Sequence, residues 1–425
     1  MEGTVRKNIV LFLIGKIIAV LGSSIYGFAI GLYILSKTGS TINFAITLLL
    51  SVLPRILLSP LAGTLSDRGN RKTIIFASDF ACAIWLAIVW VVFSFVTQEI
   101  WLLFLSTAVL SILNTFYSSA VSSSIYNMVG PDNLQKAMSI NQAAASFSNI
   151  IGPVLGGVFF GIFPISIFMI INIFAFIFSG ISSILIKYDL YIERKQEPQK
   201  SSIINDLTLG FSYVKKQPFL LQLIFISIWI NFWFSVFPVM LPYLVLTIRG
   251  MKPYQLGIIE GTFSVGMMLM GIFLTIRAEI EKKDVAIIGG VIILSLVLML
   301  LGLPNLPNMM KVSNVIIFPY LMLMVLILSS IIMIINIPVM VLMQKITSDG
   351  YRGRVMSLLE TGASAMTPFG YLIFGTLLEK LPVWLLLLIC GFSILLVIIY
   401  HIKDKTFIVL LNQADKKPKN SVLKA

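Results

Sequence analysis

An all-α integral membrane protein, with twelve transmembrane helices in two pseudo-symmetric six-helix halves, is the fold class this sequence predicts. Three observations predict it. Of the residues, 58% are hydrophobic and only 12% charged, with a mean hydropathy of +0.98, against about 25% charged in soluble proteins. The apolar residues gather into twelve runs of about 20 or more, the length a helix needs to cross a bilayer core. One long polar stretch, Tyr188 to Pro218, parts those runs six and six.

The runs cover 9–36, 41–65, 73–96, 101–127, 138–162, 164–187, 218–247, 253–276, 285–304, 314–344, 355–378 and 382–402. The fifth and sixth are nearly continuous, parted only around Phe163-Pro164. Met1 to Lys7 is polar and enters the first run without a small-residue cleavage site, so no cleaved signal peptide is expected. Within the central stretch, Glu193 to Lys200 is a polar linker. After Ser201-Ser202, a capping pair, Ile203, Ile204, Leu207, Phe211 and Val214 recur at helical spacing. They suggest an amphipathic helix on the membrane surface. The expected organisation is a half over 1–187, a linker over 188–217, a second half over 218–402 and a tail over 403–425. The tail is polar except for Phe407 to Leu411.

A net charge of +13 raises the thought of nucleic acid, but the basic residues are dispersed among short loops. Topology explains them better. With the N-terminus inside, 24 of the 31 lysines and arginines are cytoplasmic, and only Lys37, Arg249, Lys252, Lys311 and Lys380 lie outside. Both termini are therefore expected in the cytoplasm. The Ile- and Lys-rich composition suits a bacterium with an AT-rich genome, and the plasma membrane is the expected location.

The halves resemble each other. Ala137-Met138-Ser139 matches Val355-Met356-Ser357 at an offset of 218, and the same offset carries Gly152 onto Gly370 and Gly157 onto Gly375. Such a repeat is the expected build of a transporter that rocks one half against the other.

The most informative short stretch is Gly63-Thr-Leu-Ser-Asp67-Arg68-Gly69-Asn70-Arg71-Lys72, between the second and third runs. Gly63 permits close approach of a neighbouring helix. Asp67, at a helix end, can meet a cation or the N-terminus of another helix. Gly69 and Asn70 are the residues most tolerant of a positive φ, as a tight reversal needs. Arg68, Arg71 and Lys72 hold the turn in the cytoplasm.

This stretch resembles the signature of the major facilitator superfamily, with Asn70 where that pattern usually has its second glycine. The fifth run resembles the superfamily's antiporter motif: Gly152, Pro153, Gly156 and Gly157 keep its spacing, with Ser139 and Ser148 in place of the first two glycines. That motif implies export in exchange for protons; the bland alternative is generic close packing. Lys37-Thr-Gly-Ser, Leu53-Pro-Arg55 and Ser78-Asp79 look like the macrolide-efflux and siderophore-exporter branch. One departure stands out. The fourth span of that family often carries an arginine tied to proton coupling, and Leu102 to Tyr126 contains none.

Ionisable groups inside spans are costly, so each is a functional candidate. Arg55 lies about 16 Å from its span's cytoplasmic end, at 1.5 Å per residue. Asp79, on the antiparallel third span, is expected to pair with it. Lys16, about 10 Å deep by the same measure, could snorkel to the surface. Glu260 has no charged neighbour in sequence; a carboxylate out of water can load and release a proton, or attract a cationic substrate. Glu360 is expected to help close an inner gate near Arg68 or Arg71.

The resemblance implies that the first, fourth, seventh and tenth spans line the cavity. Tyr26, Tyr33, Asn114, Tyr117, Asn231, Trp233 and Asn336 are the aromatic and polar candidates there. Each is otherwise a packing residue. Cys82 and Cys390 sit inside apolar runs and are expected to pack. With a lone His401 near the end of the last span, no metal site and no nucleophile–base pair of an enzyme is expected. There is no Gly-x4-Gly-Lys-Ser/Thr phosphate loop, which leaves an ion gradient as the energy source and no cofactor.

The sequence thus predicts a proton-coupled exporter of a hydrophobic or amphipathic small molecule. Its partners are the bilayer, that molecule and protons, with no nucleic acid, and it acts as a monomer. A nutrient importer or a lipid translocator of the same fold is the alternative.

Overall fold

In the computed structural model, residues 2–188, 190–191, 211–276, 280, 283–347 and 352–403 are described. Most of the predicted amphipathic segment and the tail patch at Phe407 lie outside them. Among the described residues every regular element is helical. The first six helices are α1 (Glu2–Thr38), α2 (Thr41–Arg68), α3 (Arg71–Phe95), α4 (Ile100–Val129), α5 (Pro131–Phe160) and α6 (Ile165–Leu185). After the central stretch come α7 (Pro218–Phe234), α8 (Val236–Pro242), a π-helical turn (Tyr243–Ile248), α9 (Pro253–Ile276) and α10 (Lys283–Leu300). The chain closes with α11 (Asn314–Ile346), α12 (Arg352–Ser364), α13 (Thr367–Leu378) and α14 (Val383–Lys403).

Local chemistry sets the ends. Ser40 caps α2 by accepting the Asn43 amide, and Pro131 opens α5, where a missing N–H costs nothing. Gly39, at the end of α1, and Gly250, after the π-helical turn, both have positive φ, 64° and 60°. Both reverse the chain in a conformation that costs other residues about 1–2 kcal/mol.

Among the described residues, eleven helical stretches are long and apolar enough to cross a membrane, with residues 218–248 counted as one. The twelfth predicted run, 355–378, is two shorter helices, α12 and α13, parted at Ala365-Met366. One physical cause explains both interruptions. A proline ring inside a helix clashes with the carbonyl four residues earlier. Pro238 therefore ends α7 at Phe234, and Pro368 ends α12 at Ser364.

The chain forms two compact units. The first comprises residues 1–200 and 251–261; the second comprises 201–250 and 262–425. In the first, α1 packs against α5 and α6, α3 against α4 and α6, and α2 against α4. The second repeats this with its own spans. There α7 packs against α12 and α14, and α10 against α11 and α14. The repeat reaches single atoms. A Cβ on Gly152 would strike the Ser24 hydroxyl, and a Cβ on Gly370 would strike that of Ser235. Ser24 and Ser235 are 211 positions apart, as Gly39 and Gly250 are.

Candidate functional site

The signature turn holds its two helices by means other than the sequence suggests. Gly69 is extended, with φ −90° and ψ 173°, and Asn70 has φ −74°. Neither is left-handed. Asn70 instead caps α3, its side-chain oxygen accepting the Thr73 amide at 3.3 Å. Glycine suits position 69 because a Cβ there would lie 2.8 Å from the Leu65 carbonyl oxygen. Gly63 has no described residue within 4 Å of where a Cβ would stand. Arg71 ties two helix ends together, donating to the Ser66 carbonyl of α2 at 3.1 Å and the Ser123 carbonyl of α4 at 2.6 Å. Lys72 is half-buried. The side chains of Asp67, Arg68 and Glu360 lie outside the described ones, and so does the expected gate contact between them.

On α5 the antiporter-like motif is a packing device with two faces. Gly152 and Gly156 meet α1: a Cβ on Gly156 would lie 2.8 Å from the Phe28 ring. Pro153 and Gly157 meet the first turns of α9, where a Cβ on Gly157 would lie 2.6 Å from the Pro253 carbonyl oxygen. From the α9 side, a Cβ on Gly257 would strike the Pro153 carbonyl. Small residues on both helices bring backbone against backbone. Ser148 is fully buried, its hydroxyl without a hydrogen-bond partner among the described residues. Ser139 is exposed.

The buried acid of the first unit has a different partner from the one expected. Asp79 is 2% exposed and accepts a hydrogen bond from Ser179 on α6 at 2.8 Å. Its cationic counterpart is Lys16 of α1, which acts on it electrostatically without a direct ion pair. Arg55 is exposed on α2. Depth in the membrane matched Arg55 to Asp79, but α2 barely touches α3, while α3 lies against α4 and α6. Nor does Lys16 snorkel: its ammonium lies 5.3 Å from the centre of the Tyr117 ring.

The remaining candidates divide. Tyr26 is buried in packing, hydroxyl to hydroxyl with Ser106 at 3.0 Å, rather than lining a cavity. Tyr33 stands edge-on to Phe93 with the Lys37 ammonium 5.5 Å from its ring centre. Asn114 is half-buried and Asn336 exposed. In the second unit Asn231 donates to the Ser227 carbonyl, one turn before the break at Ser235. Half-buried Trp233 belongs to an aromatic chain running Phe225, Trp229, Phe232, Trp233 and Phe374. The chain joins α7 to α13 beside the helix break at Ser235. Glu260 is half-buried on α9 and has no hydrogen bond or ion pair with a described residue.

Sequence reasoning places Arg249 outside the membrane but misses its role. Its guanidinium donates to the carbonyls of Pro304 at 2.6 Å, Met309 at 2.9 Å, Val312 at 3.2 Å and Met310 at 3.4 Å. Asn314 in turn donates to the Arg249 carbonyl at 2.9 Å. The first unit has a lighter counterpart: Lys37, in the last turn of α1, donates to the Gln98 carbonyl between α3 and α4 at 2.5 Å.

Residues 12–336 match the family model of the Major Facilitator Superfamily. The chain is 24% identical over 394 residues to an uncharacterized MFS-type transporter, YfiS, of Bacillus subtilis, covering 92% of each. It is 22% identical to macrolide efflux protein A of Streptococcus pyogenes over 88% of this chain and 90% of that one. Two solved structures share the fold. An inward-facing bacterial homologue of the iron transporter ferroportin has a TM-score of 0.65 at 16% identity, covering 96% of this chain and 98% of its own. A bacterial homologue of the lysosomal transporter Spinster has a TM-score of 0.67 at 12% identity, covering 97% and 98%. A match over more than half the chain, on a fold of helical spans arranged as a six-span repeat, makes this protein a membrane-embedded transporter of the Major Facilitator Superfamily.

Proposed function

We propose that the protein exports a hydrophobic or amphipathic small molecule in exchange for protons, by alternating access, from a bacterial plasma membrane with both termini in the cytoplasm. The observation that carries this reading is the likeness to macrolide efflux protein A along 88% of the chain. Two features of the side chains support it. The aromatic chain beside the break in the seventh span offers stacking surface to an apolar body. Glu260, without a partner among the described residues, offers a carboxylate for a proton or for a cationic group on the substrate.

Erythromycin accumulation in cells expressing the chain, with and without a protonophore, tests the reading. Lower accumulation than in control cells, restored by the protonophore, is the expected result. Accumulation equal to that of control cells for erythromycin and for a panel of lipophilic dyes would overturn it.

A further inference from the structure

We propose that Asp79 is a proton-binding site of the first unit, with Lys16 as its built-in counter-charge and Ser179, its hydrogen-bond donor, lining the one-water cavity that Lys16 also lines. The use made of the proton rests on the proton-coupled reading above; the site itself does not.

Three observations carry it. Asp79 is 2% exposed, yet among the described residues its only hydrogen bond is from a neutral hydroxyl, that of Ser179. An ammonium needs three acceptors, but Lys16 has no hydrogen bond to a described residue and rests over the Tyr117 ring. Beside it is a cavity of about 10 Å³, lined among others by Lys16, Tyr117, Ser179, Ser183 and Tyr188. That is room for about one water, in a wall polar enough to hold it. Leu11, Phe12 and Ile186 extend the lining toward the N-terminal end of α1.

The groups facing Asp79 are Lys16 from α1, Tyr117 from α4, Ser179 from α6, Tyr188 just beyond α6, and Cys82 on α3 itself. Among the described residues these include one cation and no second acid. A buried pair held at close contact would be locked by its Coulomb energy; a pair held apart in the same medium leaves much of the desolvation cost standing. Accepting a proton removes that cost from the carboxylate. One proton adds to a carboxylate oxygen and later leaves, with no bond between heavy atoms made or broken. Lys16 keeps its charge throughout.

Infrared difference spectra of the full chain in lipid nanodiscs, recorded as pH is changed, test the site through the carbonyl stretch of a protonated carboxyl. Glu260→Gln combined with Glu360→Gln serves as the background, to remove the other two acids that the sequence places inside spans. We expect one titrating band that Asp79→Asn abolishes and whose midpoint Lys16→Met moves by about one pH unit or more. An undiminished band in Asp79→Asn would overturn the proposal. Should that variant fail to fold, Asp79→Glu replaces it, and a band unchanged in both frequency and midpoint would count equally against the site. If erythromycin export proves insensitive to a protonophore while the band behaves as expected, the proposed function falls and the site stands. If export is proton-driven while Asp79→Asn leaves the band intact, the site falls and the function stands.

Discussion

A guanidinium ordinarily seeks a carboxylate; Arg249 spreads its N–H groups over four backbone carbonyls instead. Hydrogen bonds to a charged group are worth about 1.5–3 kcal/mol each when measured singly. Arg249→Ala is therefore expected to lower unfolding stability by about 3 kcal/mol in detergent, read as a fall in Tm. Arg249→Lys should recover less than half of that loss, because an ammonium cannot fan out to four acceptors. Lys37→Ala, which removes one such bond, should cost no more than about 1.5 kcal/mol by the same rule. Sequence marked Arg249 only as a loop cation. Its acceptors are carbonyls 55–63 residues away, and a carbonyl has no side-chain type to give it away. Asn70 was legible by position but not by role: residue type indicated a turn, and only the backbone angles separate a left-handed turn residue from a helix cap.

At the scale of elements, small residues divide into those that are pressed and those that are free. Gly157→Val and Gly370→Val each force a side chain into a neighbouring backbone carbonyl or hydroxyl, and should destabilise by about 1–3 kcal/mol. Gly63→Ala meets nothing within 4 Å and should stabilise α2 slightly, by up to about 1 kcal/mol of helix propensity. Thermal unfolding of the three variants side by side checks the contrast. The spans themselves were readable almost to their ends, because about 20 apolar residues leave little else to form in a bilayer. Their interruptions were not. Pro238 stands in a strongly apolar run whose hydropathy gives no sign of a break; the run holding Pro368 weakens over Glu360 to Ser364, but hydropathy alone does not say that the helix stops there. Partner choice was the other loss. Asp79 was matched to Arg55 by depth alone, and depth does not say which helix is the neighbour; the packing of α3 against α4 and α6 does.

For the whole molecule the repeat is the organising fact. Each unit packs its first span against its fifth and sixth and its third against its fourth and sixth, as expected of halves that move as bodies. Glu260→Gln is expected to weaken protonophore-sensitive erythromycin export at least tenfold in the same cells, with the protein still present in the membrane fraction; undiminished export would remove Glu260 from the coupling. The carbonyl cage of Arg249 bears finally on how such a chain is made. Synthesis delivers Arg249 to one face of the membrane well before its acceptors exist, with α9 and α10 still to be threaded between them. Until residues 304–312 arrive at that same face, the guanidinium has only water and lipid headgroups to answer it. Closing the cage is thus a late event in biogenesis, and it proofreads the insertion of two helices: an odd number of crossings between Arg249 and Pro304 would leave charge and cage on opposite sides of the bilayer.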